Sequence, residues 1–282
     1  MIRFLQLVVQ NGSFILFLIL QTYCIYQVIQ YNQRQKDIYI YSSQKWTNSL
    51  QSKINTVNNY FSLRKKNDDL AQENANLLTQ QLNHQSLLNT IVSIDTNKQN
   101  KIDSGLARYH VLAAKVINNS VSKVNNTMTL DKGSKAGVLP GMGVVGPHGV
   151  VGIVTDTSEH FSLVMSLLHT KSKLSVKLKR SHFFGTLSWK GRNPEIVELN
   201  DIQKYADLKL NDTIVTSGFS IVFPEGLPIG TVDAFQVEAG GFSYSINVKL
   251  FENLSALDHV YLINHLYKSE KNQLENLSTK YE

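Results

Sequence analysis

At 282 residues, 42% of them hydrophobic and 18% charged, the chain holds one or two ordinary domains and can bury a core rather than stay disordered. The formal net charge of +6 is small for that length and comes without a basic face or aromatic motif, so nucleic-acid binding has no footprint. The single cysteine, Cys24, excludes an intrachain disulfide and a cysteine metal site, without excluding an extracytoplasmic location.

Residues 1–10 form a short N-terminus that carries Arg3. From Phe14 to Ile29 the chain reads FILFLILQTYCIYQVI without a charge. The window 11–31 is long enough to cross a hydrocarbon core of roughly 30 Å at about 1.5 Å per residue. Tyr23, Tyr26 and Tyr31 gather at its far end, where amphipathic rings favour an interface. No small-residue cleavage site follows, and bulky Tyr23 before Cys24 does not suit lipidation. Gln21, Thr22 and Gln27 dilute the run, which leaves a buried soluble helix as the competing reading. Arg3 precedes the span while Arg34, Lys36 and Lys45 follow it, so charge bias does not decide which side the body faces.

Residues 32–92 read as a helical stalk. Leu63, Leu70, Leu77, His84 and Ile91 recur at intervals of seven, while the companion line offers Asn67, Asn74, Gln81 and only then Leu88. A seam of Leu63, Leu70, Leu77, Leu88 and Ile91 suits a parallel homodimer or higher homo-oligomer of modest strength. The competing arrangement is one amphipathic helix folded back on the body. Residues 93–105 break the pattern as a linker.

Beyond the linker the texture changes to short apolar runs punctuated by Gly and Pro. Period-two alternation marks Leu174–Leu178 and Tyr244–Leu250; further strands are expected over Val111–Ile117, Val150–Thr155, Leu163–Leu168, Phe183–Trp189, Thr213–Thr216 and Gly230–Phe235. The sequence from Gly149 to Val154 is echoed from Gly226 to Val232, which suggests two similar modules. The fold expected is mainly β with a long N-terminal helix: a single transmembrane helix, a coiled coil, then two tandem small β-barrel-like modules over 106–190 and 191–263. Residues 264–282 lack an apolar period and read as a flexible tail.

The chemistry-bearing patterns are thin. H-E-x-x-H, H-x-H, Walker A and the dinucleotide-binding glycine pattern are all missing, so no metal or cofactor is expected. Ser217, with His160, His169 and Asp201 before it, follows the order of a trypsin-like protease. Its Thr216-Ser217-Gly218 surround has no oxyanion glycines and reads better as a turn. Lys171, Lys173, Lys177 and Lys179 would share one face of a strand, either as a solvated surface or as a docking strip for an anionic polymer, lipid or acidic partner.

The glycine-rich stretches are more specific. Asn126 to Gly133, Gly137-Val138, Gly141-Met142 and the run from Gly149 through Gly152 to Val154 resemble the first β module of the MreC family of bacterial rod shape-determining proteins. Asp212 to Gly218 with Ser217, then Phe223-Pro224-Glu225-Gly226-Leu227-Pro228-Ile229-Gly230, is similar to the family's second signature. Asn211 stands where the family usually has Gly, a substitution that tolerates the left-handed conformation. The resemblance implies that Gly133, Gly141, Gly149, Gly152, Gly218, Gly226 and Gly230 supply turns or close approaches while Pro224 and Pro228 stiffen a loop. It further implies a non-catalytic scaffold of cell-elongation peptidoglycan synthesis, with its body outside the cytoplasmic membrane. The partners it implies are a class B penicillin-binding protein, MreD, RodA and, indirectly, the MreB-type cytoskeleton. A periplasmic adaptor subunit of a secretion or efflux system, and a wall hydrolase using Ser217, are the alternatives.

Overall fold

The computed structural model describes residues 12–31, 62–88, 108–237 and 243–278. The N-terminus 1–10, the polar stretch 32–61, Ile91 and the linker 93–105 lie outside these described residues. The chain divides into two compact units, Met1–Asp68 and Asp69–Glu282.

In the first unit, helix α1 (Gly12–Tyr31) matches the expected span and exposes Phe14, Leu16, Phe17 and Ile19. Its polar residues bond within the helix: the Thr22 hydroxyl reaches the carbonyls of Leu18 (3.0 Å) and Ile19 (2.8 Å), and Gln27 donates to the Tyr23 hydroxyl (2.9 Å). Among the described residues no helix is long and apolar enough to cross a membrane.

The second unit is built from twelve antiparallel strands among the described residues. They are β1 (Tyr109–Asn119), β2 (Asn125–Leu130), β3 (Gly143–Val145), β4 (Val150–Thr157), β5 (Ser162–His169) and β6 (Lys173–Leu178), then β7 (Phe184–Ser188), β8 (Ile196–Gln203), β9 (Thr213–Thr216), β10 (Pro228–Val237), β11 (Ser243–Leu250) and β12 (His259–His265). Alternation buries one face of each. Val111, Met128, Leu130, Val144, Val164 and Leu262 are among the buried residues of the first barrel; Val176, Leu187, Leu199, Ile214, Val232 and Ile246 are among those of the second.

Two closed barrels result, with strand orders β1-β12-β3-β4-β5-β2 and β10-β11-β8-β7-β6-β9. They are not tandem. The second barrel is inserted between β5 and β12 of the first, so the expected division into 106–190 and 191–263 is corrected. β6 and β7 belong to the second barrel because Val176 pairs with Thr216 and Leu187 with Leu199. β12 returns to β1 through seven pairs, from Tyr109–His265 to Lys115–His259. The tail differs too. β12 runs through His265, and helix α3 (Lys268–Ser278) follows, with the Lys268 ammonium donating to the Gly141 carbonyl (2.6 Å).

One stretch of strand lacks a neighbour on one side. β1 pairs with β12 from Tyr109, but with β2 only from Val116. Helix α2 (residues 62–88) fills the gap with side chains. Asn83 Oδ1 accepts the N–H groups of Arg108 (2.8 Å) and Tyr109 (2.9 Å), its Nδ2 donates to the Tyr109 carbonyl (2.9 Å), and Thr79 Oγ1 accepts Val111 N–H (3.1 Å). Buried Ala71 and Ala75 let the helix approach closely, and Leu82 packs into the body. Residues 69–88 therefore take the folded-back arrangement, while Leu63, Leu70, Leu77 and Leu88 of the expected seam face solvent.

The turn before β9 shows why Asn211 replaces a glycine: its φ is +65°. Asp212 accepts the Lys209 N–H (2.9 Å) and two bonds from the Arg180 guanidinium (3.1 Å each), which holds its carboxyl below the ordinary carboxylate range.

Two expectations follow from these contacts. Combining Thr79→Val with Asn83→Ala removes the acceptors of two backbone donors of β1, Tyr109 and Val111, and of Arg108 before it; it should cost about 1–3 kcal/mol and raise hydrogen exchange over 69–88 while the barrels stay protected. Unchanged exchange there would contradict the clamp. The Asp212 value is depressed on folding, so its stabilisation is complete above the unfolded value of about 3.9 and disappears as pH falls through the lower folded value. Asp212→Asn should accordingly flatten the acid limb of a plot of Tm against pH; an unchanged limb would rule this out.

Candidate functional site

Thr216 is the knot of the second signature. Its hydroxyl donates to the Pro224 carbonyl (2.6 Å) and accepts Leu227 N–H (2.9 Å), while its backbone pairs with Leu227 (3.0 Å) and Gly226 (3.1 Å). Gly218 and Gly226 close the loop at φ of +80° and +89°, a region that disfavours side chains. The outer face of β6 grips both ends. Ser175 bonds the Ser217 hydroxyl (2.9 Å), and buried Lys177 forms an ion pair with Glu225.

Held in this way, the loop carries Phe223 into the first barrel. The ring is 2% exposed and sits so close to Gly143 that a Cβ there would lie 2.6 Å from it. A second contact joins the barrels nearby. The Glu252 carboxylate is buried, accepts His148 N–H (2.8 Å) and lies directly against Gly146, with His148 Nδ1 at 3.7 Å. The two echoed segments also meet: a Cβ on Gly149 would be 3.0 Å from the Pro228 carbonyl. Both signatures thus build one joint.

The joint floors a cleft of about 420 Å3. One wall is the Val145–Gly149 turn with Tyr261, another is Gly226, Leu227 and Pro228, and α2 forms the third through Asn74, Leu77, Leu78, Gln81, Leu82 and Gln85. No Asp, Glu, Lys or Arg lines it. Such a surface suits a neutral, partly apolar partner.

The remaining expected residues fall into place around this joint. Gly152 and Gly230 admit the Met165 and Lys249 carbonyls of neighbouring strands, Gly133 backs onto Ser158, and Gly141 receives Lys268. Ser217 is a turn residue: its hydroxyl bonds Ser175 and accepts Phe219 N–H (3.2 Å). Among the described residues no His, Cys, Asp or Glu group could hold a metal. The lysine strip is corrected. Lys171 and Lys179 flank β6 and are exposed with Lys173, but Lys177 is only 7% exposed because the β9–β10 loop covers it. β6 is also no edge, since it pairs with both β7 and β9. Glu252, His148 and Tyr261 carry no signal of their own in sequence; Phe223 stood out as the start of the second signature, and Asn74 and Gln81 as the companion line of the heptad.

Comparison with known proteins agrees with this architecture. The model of the family described as rod shape-determining protein MreC, barrel core, matches residues 116–264. The cell shape-determining protein MreC of Listeria monocytogenes is 30% identical over 59% of this chain and 60% of its own length. The Bacillus subtilis protein of the same name is 26% identical over 74% of this chain and 73% of its own. The match covers less of two other relatives: 41% of the Caulobacter vibrioides protein and 35% of the Escherichia coli one. A solved Listeria MreC structure superposes with a TM-score of 0.54 at 26% identity, covering 72% of this chain and 94% of that one.

The clamp on the signature loop is asymmetric, and that can be measured. Glu225→Ala leaves the Lys177 ammonium buried without its carboxylate and should cost about 1–3 kcal/mol in urea unfolding. Lys177→Met should cost less, because half-exposed Glu225 can turn to water. The reverse order would show that the pair does not hold the loop.

Proposed function

The chain belongs to the MreC family of rod shape-determining proteins, and on that premise we propose that it is the membrane-anchored, non-catalytic scaffold of the machinery that builds peptidoglycan during cell elongation. Its body stands outside the cytoplasmic membrane and binds a class B penicillin-binding protein, favouring the active arrangement of that enzyme. Such an effect requires contacts that differ between two states of the enzyme. MreD, RodA and, indirectly, MreB-type filaments are its further partners.

The observation that carries this reading is the convergence of both signatures on one joint and one uncharged cleft. Residues spent on holding two barrels together and lining a groove serve docking, not bond cleavage. The Ser217 hydroxyl, tied to Ser175, supports the same conclusion against a hydrolase. Helix α1 supports the anchor: its apolar side chains point outward, and Thr22 and Gln27 satisfy their polar groups internally, as a hydrocarbon environment demands. The solvent-facing line Leu63, Leu70, Leu77 and Leu88 supports self-association, which would multiply weak contacts to partners held at the same membrane.

Depletion of the protein in its host should turn rod-shaped cells round or swollen within a few generations. Unaltered width and growth after depletion would sink the scaffold reading.

A further inference from the structure

Both strands that carry the chain out of the first barrel end in a histidine. β5 ends at His169, where the chain passes into the second barrel, and β12 ends at His265, where it passes into α3. The two rings make the same contact. His169 Nδ1 accepts the N–H of Lys171 (3.0 Å), and His265 Nδ1 accepts the N–H of Tyr267 (3.2 Å). A backbone N–H only donates, so each Nδ1 must be bare and each imidazole neutral.

The surroundings oppose a charged ring at both exits. His265 is half-buried at the last rung of the β1–β12 ladder, edge-on to Tyr109 with ring centres 5.1 Å apart and to Tyr267 at 6.3 Å. Arg108 stands before β1, and Lys268 and Lys271 lie on α3. The Lys268 ammonium donates to the Pro140 and Gly141 carbonyls. Helix α2 contributes Asn83, which is uncharged and bonded to Arg108 and Tyr109, beside exposed His84. Exposed His110 points to the other face of β1. At the other exit, His169 pairs with Asn125. The β1–β2 turn that bears Lys123 accepts the next N–H, from Thr170 to the Val124 carbonyl (3.4 Å). A Cβ on Gly191 would lie 4.0 Å from the Thr170 methyl, and that glycine stands between Lys190, paired with Glu198, and Arg192.

Burial first, and then the Lys171 ammonium, hold His169 below the ordinary imidazole value. Burial, followed by Lys271, Arg108 and Lys268, does the same to His265, against a bond to its own backbone that acts the other way. Among the described residues every charge acting on either ring is positive.

We propose that His169 and His265 are acid-released catches on the two exits of the first barrel, holding the chain against the barrel when neutral and letting it go when protonated. A proton taken from solvent turns Nδ1 from an acceptor into a donor, so the Lys171 and Tyr267 N–H groups lose their partners and meet a like charge. The first catch governs the passage to the second barrel, the second the start of α3 and the end of the β1–β12 ladder. Both values are lower in the folded chain than in the unfolded one. The stability that the neutral rings contribute is therefore complete above the unfolded value of about 6.5, and it is lost as pH falls from there through the lower folded values. This inference does not depend on the scaffold reading.

The test follows hydrogen exchange of the full chain in lipid nanodiscs from about pH 7.5 to about pH 5, corrected for the intrinsic pH dependence of exchange. Protection at Lys171 and Tyr267 and their neighbours should fall by about 3- to 10-fold over that range, as the loss of one hydrogen bond at each exit requires. Strands β7, β8 and β11 should keep theirs. His169→Asn and His265→Asn each supply a non-titrating oxygen that accepts the N–H two residues on. Each variant should keep its exit protected at the lower pH and leave the other exit acid-sensitive. Protection that does not change with pH in the unaltered chain, or that falls equally in the Asn variants, would overturn the inference. A second measurement is independent of how the variants fold: in NMR of the unaltered chain with labelled histidines, the rings of His169 and His265 should titrate below about 6.5. A midpoint at or above that value for both rings would refute it.

Discussion

The pairing of β12 with β1 is the constraint on which the rest of the body depends. The first barrel has five of its six strands before residue 170, yet it stays open until His259–His265 arrives. Everything between is the second barrel, which must leave and re-enter the first at neighbouring points. Closure over so long a separation is entropically costly and slow to find. The position of Glu252 then follows. It lies on the return path, where its carboxylate can reach the His148 N–H and fix one barrel against the other.

The joint also explains why the signatures are rich in Gly and Pro without being catalytic. Gly143, Gly146 and Gly149 are bare on one side of the joint because Phe223, Glu252 and Pro228 press against them from the other. A side chain at any of the three would push the barrels apart. Thr216 is held by bonds inside the loop, and Ser217 and Glu225 by bonds to β6, so that its tip, Phe223, arrives at a defined place. Close-packed interiors transmit such displacements. A change on the outer face of β6 is therefore felt in the cleft.

Much of this was legible in the sequence, and what was not has a physical reason. Alternation exposed β6 and β11, and turn residues bounded β4, β5 and β9. β12 was hidden because Val-Tyr-Leu-Ile is a continuous apolar run, whose period is ambiguous, and because its partner lies about 150 residues earlier. The boundary expected between residues 190 and 191 falls in the β7–β8 hairpin, where the Trp189 indole is bonded to the Asn193 carbonyl (2.8 Å). Lys177 looked like its exposed neighbours because local sequence cannot show that a loop some 40 residues later brings Glu225 over it. The turn glycines were readable one by one. The cleft was not, since its walls come from three distant segments that only the insertion brings together.

The insertion has a mechanical consequence. Tyr109 and His265 are direct partners at the same end of the β1–β12 ladder, so the chain enters and leaves the body at adjacent points. Traction applied between the N-terminal segment and α3 would load that ladder from its end and open it pair by pair, like a zip, instead of shearing it all at once. The second barrel, looped between β5 and β12, would carry none of the tension until the first had opened. A body built this way yields first where it is sewn shut and keeps its inserted barrel intact.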